Sequence, residues 1–234
     1  YLDVPHNDCF NLSKNFTIEL WFKEFETSFD KTYPIEEHNS YGYSLDLTSD
    51  GGYVIAGSVE NSIDTTDKKI LLLKVDSQGN YVNQSLINTY DSNLISPAEA
   101  FSIQETSDKG YIVTGYLTNL TTDNKTSFFL KTDRNFSYQG ETDFFISPDY
   151  GTTTYDAFCY SIIQDKNNNY TSTGFEFKGI PNQNETKIIR LKENGTNYGK
   201  NWYPKNINND FGREIIEFED SYIIAGVKNE TLDE

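Results

Sequence analysis

GGYVIAG, at residues 51–57, is the first of four copies of one short strand that begins at tyrosine and reaches glycine four residues later. The other copies are KGYIVTG (109–115), NNYTSTG (168–174) and DSYIIAG (220–226). Their tyrosines lie 58, 59 and 52 residues apart. A repeat of this length is typical of one four-stranded blade of a β-propeller. The sequence therefore predicts an all-β chain of about four blades.

Further apolar runs flank each copy and complete a four-stranded unit. One run precedes each tyrosine, and turn sequences such as TSDGG (48–52) and TSDKG (106–110) separate the two, which predicts a hairpin. A third run follows the first three glycines and carries apolar residues on both faces, as expected for a strand between two neighbouring blades. That run places three basic residues at one equivalent position, namely Lys74, Lys131 and Arg190.

The fourth strand of each unit is predicted from two aligned tryptophans, Trp21 and Trp202. The equivalent positions in the intervening units are Leu86 or Ile87, and Phe144 or Phe145. Lettered A to D in repeat order, the strands read D, then three complete sets, then A and B. We interpret 1–234 as one propeller domain in which 1–17 is an N-terminal segment that closes the ring or is donated to a neighbour.

The strand order leaves the last unit incomplete and allows three arrangements. In a closed four-bladed ring, residues 16–25 supply the outer strand beside 213–218 and 221–226, and Tyr1 to Val4 supply the missing C strand. Otherwise the chain is a fragment of a larger ring, or its open edge pairs with a strand of the next molecule. We prefer the closed ring, with strand exchange between subunits as the second interpretation.

Charge and hydropathy argue against two classes of partner. The formal net charge is −17, and nucleic-acid binding requires a basic stripe that the scattered lysines and arginines do not supply. No apolar run approaches the roughly 20 residues that cross a bilayer, so no membrane span is expected. Because the chain begins with tyrosine and contains no methionine, we expect a processed mature form or a sequence that does not start at the gene's start.

Asparagine composition indicates the compartment. The pattern Asn-X-Ser/Thr occurs more often than the roughly four times expected by chance, which favours a secreted protein with N-glycans on its loops. Accidental sequons in an asparagine- and threonine-rich chain are the alternative. The candidate glycosylation sites are Asn11, Asn15, Asn83, Asn119, Asn124, Asn135, Asn169, Asn184, Asn194 and Asn229.

The chain has two cysteines, Cys9 and Cys159. They are consistent with one disulfide bond in an oxidising compartment. The alternative is a pair of buried free thiols, because Cys159 lies inside the apolar run AFCYSII (157–163).

Three stretches carry a resemblance to a known family: TSDGGYVIAG (48–57), KILLLKVDSQGN (69–80) and AFSIQETSDKGYIVTG (100–115). They resemble the repeats of secreted and cell-surface β-propeller proteins of bacteria and archaea. The likeness covers residues 18 to 226 and is weakest in the third copy. It implies an extracellular protein that serves in surface layers, in adhesion or in binding, and it brings no catalytic residues with it.

Residue types used in catalysis form no recognisable active-site motif. His6 and His38 lie in polar stretches without the partners of a catalytic triad or a zinc site. SPDYGTTTY (147–155) resembles the Asp-box of sialidase-like propellers, but it lies between blades rather than in an outer turn. The three arginines Arg134, Arg190 and Arg213 fall at different strand or turn positions. We therefore predict that the chain is not an enzyme and has no cofactor.

Acidic segments and tyrosines are the candidates for metal and ligand binding. The acidic segments 64–69, 76–80 and 217–220 offer oxygen ligands but lack the alternating spacing of a calcium loop, so no metal site is predicted. Three tyrosines either stack on sugars or pack between blades, namely Tyr138, Tyr150 and Tyr155.

The expected function is that of an extracellular, N-glycosylated structural or adhesive surface protein that assembles head to tail into a fibre by strand complementation. In that arrangement residues 1 to about 25 pair with the terminal hairpin of a neighbour and Cys9 locks the joint. The alternative is a monomeric propeller that binds carbohydrate or protein. The expected partners are other copies of the chain, covalent N-glycans, and surface carbohydrate or protein.

Overall fold

The computed structural model describes residues 31–33, 35, 38–61, 63, 67–91, 94–120, 122–138, 144–146, 156–177, 184–203 and 211–227. Within these ranges the chain is all-β and has no helix, which confirms the predicted class at this level. Accordingly, these ranges hold no helix with the length and apolar character needed to cross a membrane.

The strands form antiparallel sheets that follow chain order. Sheet 1 contains β1 (His38–Leu47), β2 (Tyr53–Asn61), β3 (Lys68–Val75) and β4 (Tyr81–Ile87). A small ribbon follows, made of β5 (Thr89–Asp91) and β6 (Leu94–Ser96). Sheet 2 contains β7 (Ala98–Glu105), β8 (Tyr111–Thr118), β9 (Lys125–Thr132) and β10 (Phe144–Ile146). Sheet 3 contains β11 (Ala157–Gln164), β12 (Tyr170–Phe177), β13 (Asn184–Leu191) and β14 (Asn197–Tyr203), and sheet 4 has β15 (Phe211–Phe218) and β16 (Ser221–Val227) within the described residues.

The register confirms the predicted hairpins and the equivalence of the three basic residues. Each motif tyrosine lies on the second strand of a hairpin, on β2, β8, β12 or β16. The residue after the tyrosine pairs with the basic residue of the third strand in each four-stranded sheet: Val54 with Lys74, Ile112 with Lys131, and Thr171 with Arg190. The repeat read from the sequence is therefore a repeat of backbone pairing.

The predicted fourth strand of sheet 2 is present, but the residues predicted to align with the tryptophans are wrong. Trp202 pairs with Lys187 of β13, and Leu86 pairs with the equivalent Leu71 of β3. In sheet 2 the equivalent of Leu71 is Phe128, and its partner is Ile146 rather than Phe144 or Phe145. Ile146 lies 15 residues after its basic residue, whereas Leu86 and Trp202 lie 12 residues after theirs. Three additional residues between β9 and β10 thus shift the register. Trp21 lies outside the described residues.

A β-bulge at the same position in all four hairpins explains the motif glycine. The register shifts between Gly42 and Ser44, and at the equivalent points of β7, β11 and β15. At each bulge a backbone carbonyl oxygen of the first strand lies close to the motif glycine of the second strand. A Cβ atom at that glycine would overlap this oxygen. The four carbonyl–glycine pairs are Tyr41 with Gly57, Glu99 with Gly115, Phe158 with Gly174, and Phe211 with Gly226.

Neighbouring sheets are joined by a repeated hydrogen bond. On β1, β7 and β11 the residue that follows the bulge is a serine, and its Oγ accepts a backbone N–H from the first strand of the next sheet, over 3.2 to 3.3 Å. The donor–acceptor pairs are Ile103 N to Ser44 Oγ, Ile162 N to Ser102 Oγ, and Ile215 N to Ser161 Oγ. The same joint therefore occurs three times, between sheets 1 and 2, 2 and 3, and 3 and 4.

Apolar cores fill the space between the sheets. The core between sheets 1 and 2 includes Leu72 of β3 and both Phe128 and Leu130 of β9. The core between sheets 2 and 3 includes Phe129 of β9 and Ile189 of β13. Because alternate residues of β9 enter different cores, this strand is buried on both faces, as its sequence predicts.

The first strands of all four hairpins, β1, β7, β11 and β15, line one cavity of about 310 Å³. At the two ends of the series, however, a face lacks a neighbour within the described residues. Leu45 of β1 is 61% exposed, whereas the equivalent Ile103 of β7 is 4% exposed. On sheet 4, Ile216, Phe218 and Ile223 are also exposed. We call these two surfaces the end faces.

The turn between β7 and β8 closes around the carboxylate of Asp108. The Gly110 N–H and the Thr106 hydroxyl donate to Asp108 Oδ1 over 3.0 and 2.5 Å, and Lys131 Nζ lies 2.9 Å from Oδ2. Burial alone would raise the pKa of Asp108. The hydroxyl, ammonium and amide donors outweigh burial and lower that pKa to about 2.

Asp108→Asn is expected to remove a pH-dependent part of the stability. Because the pKa of Asp108 is lower in the folded chain, its contribution is present above about pH 4 and is lost as the pH falls towards about 2. Since the side chain is 59% exposed, we expect a difference of about 1 kcal/mol or less at neutral pH. Urea unfolding of both proteins between those pH values measures it. A difference that grows as the pH falls would contradict the assignment.

Candidate binding site

Eight aromatic side chains form a continuous surface at the bulged end of the hairpins, which we call the aromatic surface. Its members are Tyr41, Tyr43, Phe101, Tyr116, Phe158, Tyr160, Phe175 and Phe211. Ring centroids of contacting pairs lie 4.9 to 6.4 Å apart, from sheet 1 to sheet 4. Such spacings are typical of stacked and edge-to-face aromatic pairs.

The bulges supply one row of this surface. The bulged residues of β1, β7 and β11 are Tyr43, Phe101 and Tyr160, and the fourth is Arg213 of β15. A bulge redirects the side chain that it carries, so these residues meet one another across neighbouring sheets. Phe101 lies 5.3 Å from both Tyr43 and Tyr160, and Arg213 Cζ lies 4.2 Å from the Tyr160 ring centroid.

A second row comes from the strand ends next to the bulges. Tyr116 contacts Phe158 edge to face at 5.1 Å, and Phe158 stacks on Phe175 at 5.0 Å. Phe211 then meets Phe175 edge to face at 4.9 Å. On sheets 3 and 4 this second row therefore consists of phenylalanine rings packed against each other.

On sheets 1 and 2 a polar network borders the same surface. Lys68 Nζ donates to Glu99 Oε1 over 2.6 Å and lies 3.6 Å from Glu60 Oε2. The Tyr116 hydroxyl donates to Glu99 Oε1, and the Tyr41 hydroxyl donates to Glu60 Oε1, both over 2.9 Å. The network thus joins two sheets through one ammonium and two carboxylates.

The network changes the acidity of its members. The hydrogen bond from Tyr41 is the main cause that lowers the pKa of Glu60. Burial, followed by the charge of Glu99, raises the pKa of Tyr116 well above its usual value. Burial alone would lower the pKa of Lys68. The hydrogen bond to Glu99 and the charges of Glu99 and Glu60 together outweigh burial and raise that pKa. At neutral pH the Glu60 carboxylate and the Lys68 ammonium are therefore charged, and the Tyr41 and Tyr116 phenols are protonated.

The rings of the aromatic surface remain partly accessible. Tyr41 and Tyr43 are 41% and 46% exposed, and the other six rings are half-buried. A flat apolar face of a ligand can stack on these rings, while polar groups at its edge can bond to the network. The sequence left two alternatives for Tyr138, stacking on sugars or packing between blades, and the side chain packs against the core between sheets 1 and 2. Tyr150 and Tyr155 lie outside the described residues.

Two candidate glycosylation sites occupy equivalent turns. Asn135 follows β9 and Asn194 follows β13, and both are exposed at the third position of the turn. The next residues, Phe136 and Gly195, have φ of 67° and 76°. The asparagines therefore lie on tight, solvent-facing turns at the end of the sheets opposite the bulges.

The other candidate asparagines are less exposed or lie elsewhere. Asn83, Asn119, Asn124 and Asn169 are half-buried, and Asn184 begins β13. Asn83 Nδ2 donates to the Asn135 carbonyl over 3.0 Å, which ties β4 to the neighbouring sheet. Asn11, Asn15 and Asn229 lie outside the described residues. Glycosylation at all ten positions stays a prediction.

Cys159 is a buried free thiol on β11. Its Sγ accepts a hydrogen bond from the Ser172 hydroxyl of β12 over 3.2 Å. Its predicted disulfide partner, Cys9, lies outside the described residues. The disulfide is therefore not observed and stays a prediction.

Among the described residues, those considered for catalysis lie on different strands or turns. His38 begins β1, Arg134 lies in an exposed turn, and Arg190 Nη2 donates to the Tyr222 hydroxyl over 3.2 Å. His6 and residues 147–155 lie outside the described residues. Asp76 Oδ1 accepts backbone N–H groups of its own turn, and Glu217 Oε2 accepts the Lys166 N–H. Across the described ranges, no three histidine, cysteine, aspartate or glutamate side chains cluster for a metal ion.

No protein-family model and no curated protein matches this chain. The chemistry of its own surfaces is therefore the guide to its function. The aromatic surface is the feature that combines partial exposure, apolar rings and a charged network. It is the candidate site for a ligand with one apolar face and polar edges.

Proposed function

We propose that the chain is an extracellular, N-glycosylated adhesive surface protein of β-propeller architecture that binds carbohydrate through its aromatic surface. The observation that carries this proposal is the continuity of partly exposed rings across four sheets. A pyranose ring presents C–H groups on one face and hydroxyls at its edge, which suits stacked aromatics beside hydrogen-bonding groups. The sequons and the repeat resemblance support the extracellular assignment.

Ring closure is part of the proposal. The repeated serine joint relates each sheet to the next in the same way, and the first strands of all four hairpins line one cavity. Successive sheets related by one operation about a shared cavity are the arrangement of a propeller. The N-terminal segment and the end faces would then complete the ring.

A glycan array probed with the full-length, secreted protein tests the binding function. We expect retention by a subset of neutral oligosaccharides, in competition with the same free sugars. Absence of binding to every glycan class would overturn the carbohydrate proposal.

Mass analysis of the same material before and after glycosidase treatment tests whether its own asparagines carry sugars.

Self-assembly is the second candidate function, and the end faces favour it. At the internal joints, Glu105, Gln164 and Glu217 accept backbone N–H groups from the preceding sheet. The equivalent residue of sheet 1 is the exposed Leu47. Exposed apolar residues also lie on the opposite end face, so the two faces are chemically alike. Contact between them within one chain closes the ring, and contact between copies builds a head-to-tail fibre.

Charging one end face is expected to prevent such a fibre. If copies associate through these faces, Leu45→Asp with Leu47→Asp should convert polymers into monomers, because burying two carboxylates against isoleucine and phenylalanine is costly. Size-exclusion chromatography and electron microscopy of the native material measure the change. Ile63→Asp, on an exposed residue outside both faces, is the matched control. If the wild-type protein is already monomeric, self-assembly is contradicted, and closure of the ring within one chain is the remaining use of the end faces.

Strand complementation makes a separate demand on the N-terminal segment. Deleting residues 1–16 should abolish polymers and leave a folded monomer. Unchanged polymer length after this deletion would exclude donation of that segment.

A further inference from the structure

The polar network beside the aromatic surface is not required by the fold. Glu99 is 7% exposed and lies at the end of β7 next to the bulge. The register places Phe158 of β11 and Phe211 of β15 at its equivalent positions. Tyr116 likewise has Phe175 as its equivalent on β12. The same backbone therefore accepts phenylalanine where sheet 2 buries a carboxylate.

Burying this carboxylate has a cost that stacked phenylalanines avoid. Ionised groups lose hydration when buried, and an ion pair often offsets that loss only partly. Here one ammonium, Lys68, serves two carboxylates, Glu60 and Glu99. The three groups together carry a net charge of −1. A costly charged group at the edge of an accessible aromatic surface points to recognition of a ligand.

We infer that Glu99, with Lys68 and Glu60, is the specificity-determining half of the aromatic surface and selects neutral oligosaccharides over acidic ones. This inference rests on the proposed carbohydrate-binding function. Tyr41 and Tyr43 stack nearly parallel, with an interplanar angle of 7°. Both rings are exposed, and the Tyr41 hydroxyl donates to Glu60. A sugar stacked on them presents its edge hydroxyls to these charged groups.

The chemistry of the network fits hydroxyl groups. Carboxylate oxygens accept from a sugar hydroxyl. A lysine ammonium has three N–H donors, and that of Lys68 donates to Glu99 while Glu60 Oε2 lies 3.6 Å away. A neutral sugar can thus both donate to and accept from the network. A sugar carboxylate or sulfate would instead meet two carboxylates against one ammonium, on a chain whose net charge is −17. Charge complementarity therefore favours the neutral ligand.

Paired oligosaccharides that differ in one acidic group test this inference. Calorimetric titration of the full chain uses a neutral oligosaccharide that it retains on the array and the same core extended by a sialic acid. We expect the wild type to prefer the neutral sugar by about tenfold or more. Glu99→Gln, which keeps the shape but removes the charge, should weaken neutral binding and narrow the preference to about threefold or less. Glu60→Gln, on the more exposed carboxylate, is a second variant with the same expected direction.

The controls separate failure of this inference from failure of the proposed function. Glu193→Gln removes one charge from an exposed turn at the opposite end of the sheets and should leave both affinities unchanged. Thermal unfolding establishes that each variant is folded. If Glu99→Gln and Glu60→Gln keep the wild-type preference for the neutral over the acidic oligosaccharide, the proposed role of the network is overturned. The carbohydrate-binding proposal would then still stand. Absence of binding by the wild type to either sugar would overturn both.

Discussion

Gly57→Ala is expected to destabilise the protein by about 3 kcal/mol or more, because the alanine Cβ would overlap the carbonyl oxygen of Tyr41. Relief requires moving either the bulge of β1 or the whole of β2. Both strands belong to sheet 1, and β2 is packed against sheet 2 through buried residues such as Val54. Substitutions that add atoms where the neighbouring backbone cannot move are among those that lower the free energy of unfolding most. Chemical unfolding of wild-type and variant proteins measures the loss.

Gly42→Ala is the matched control for this prediction. Gly42 pairs directly with Gly57 across the hairpin, but a Cβ there meets only Ile55 Cγ2 at 3.4 Å, an ordinary contact. We expect a change of about 1 kcal/mol or less, since surface substitutions usually have small effects. Equal losses of unfolding free energy in the two variants would contradict a specific requirement for glycine opposite the bulge.

The second large effect concerns binding. Phe158→Ala combined with Tyr160→Ala is expected to weaken carbohydrate binding by about 30-fold or more, because the loss of a single hot-spot aromatic, about 2 kcal/mol, already corresponds to a factor of about 30. These two rings contact one another and Phe175, and they connect the two rows of the aromatic surface. Titration with an oligosaccharide retained on the array measures the loss.

Tyr81→Ala is the control for that variant. Tyr81 begins β4 and is exposed, and it is not a member of the aromatic surface. Its replacement should leave affinity unchanged. An affinity retained by the Phe158 and Tyr160 double variant, with its fold intact by circular dichroism, would contradict the assignment of the aromatic surface as the ligand site.

Much of the architecture is predictable because its signals are local. A tyrosine-to-glycine strand after an Asp-Gly or Asp-Lys turn specifies a hairpin from neighbouring residues, and its repetition specifies the number of sheets. The register of β10 was not predictable in this way. It depends on how three additional residues are accommodated between β9 and β10, and the aligned aromatic residues at 144 and 145 gave the wrong pairing.

The candidate site was missed for a related reason. Strict alternation along a strand assigns Tyr43 and Phe101 to fixed faces, whereas the bulge redirects both. A signal was nevertheless present in the sequence. At Tyr43, Phe101 and Tyr160 an aromatic residue directly follows a glycine, alanine or cysteine and directly precedes a serine. That regularity marks the bulge once the glycine across the hairpin is recognised as its partner.

The serine joint has a consequence for how such a chain changes length. A duplicated sheet would bring its own serine to the following unit and offer its own amide to the preceding one. Gain or loss of a whole unit therefore requires no newly evolved contact surface. Families built on this joint can vary the number of units by recombination and keep every internal boundary intact.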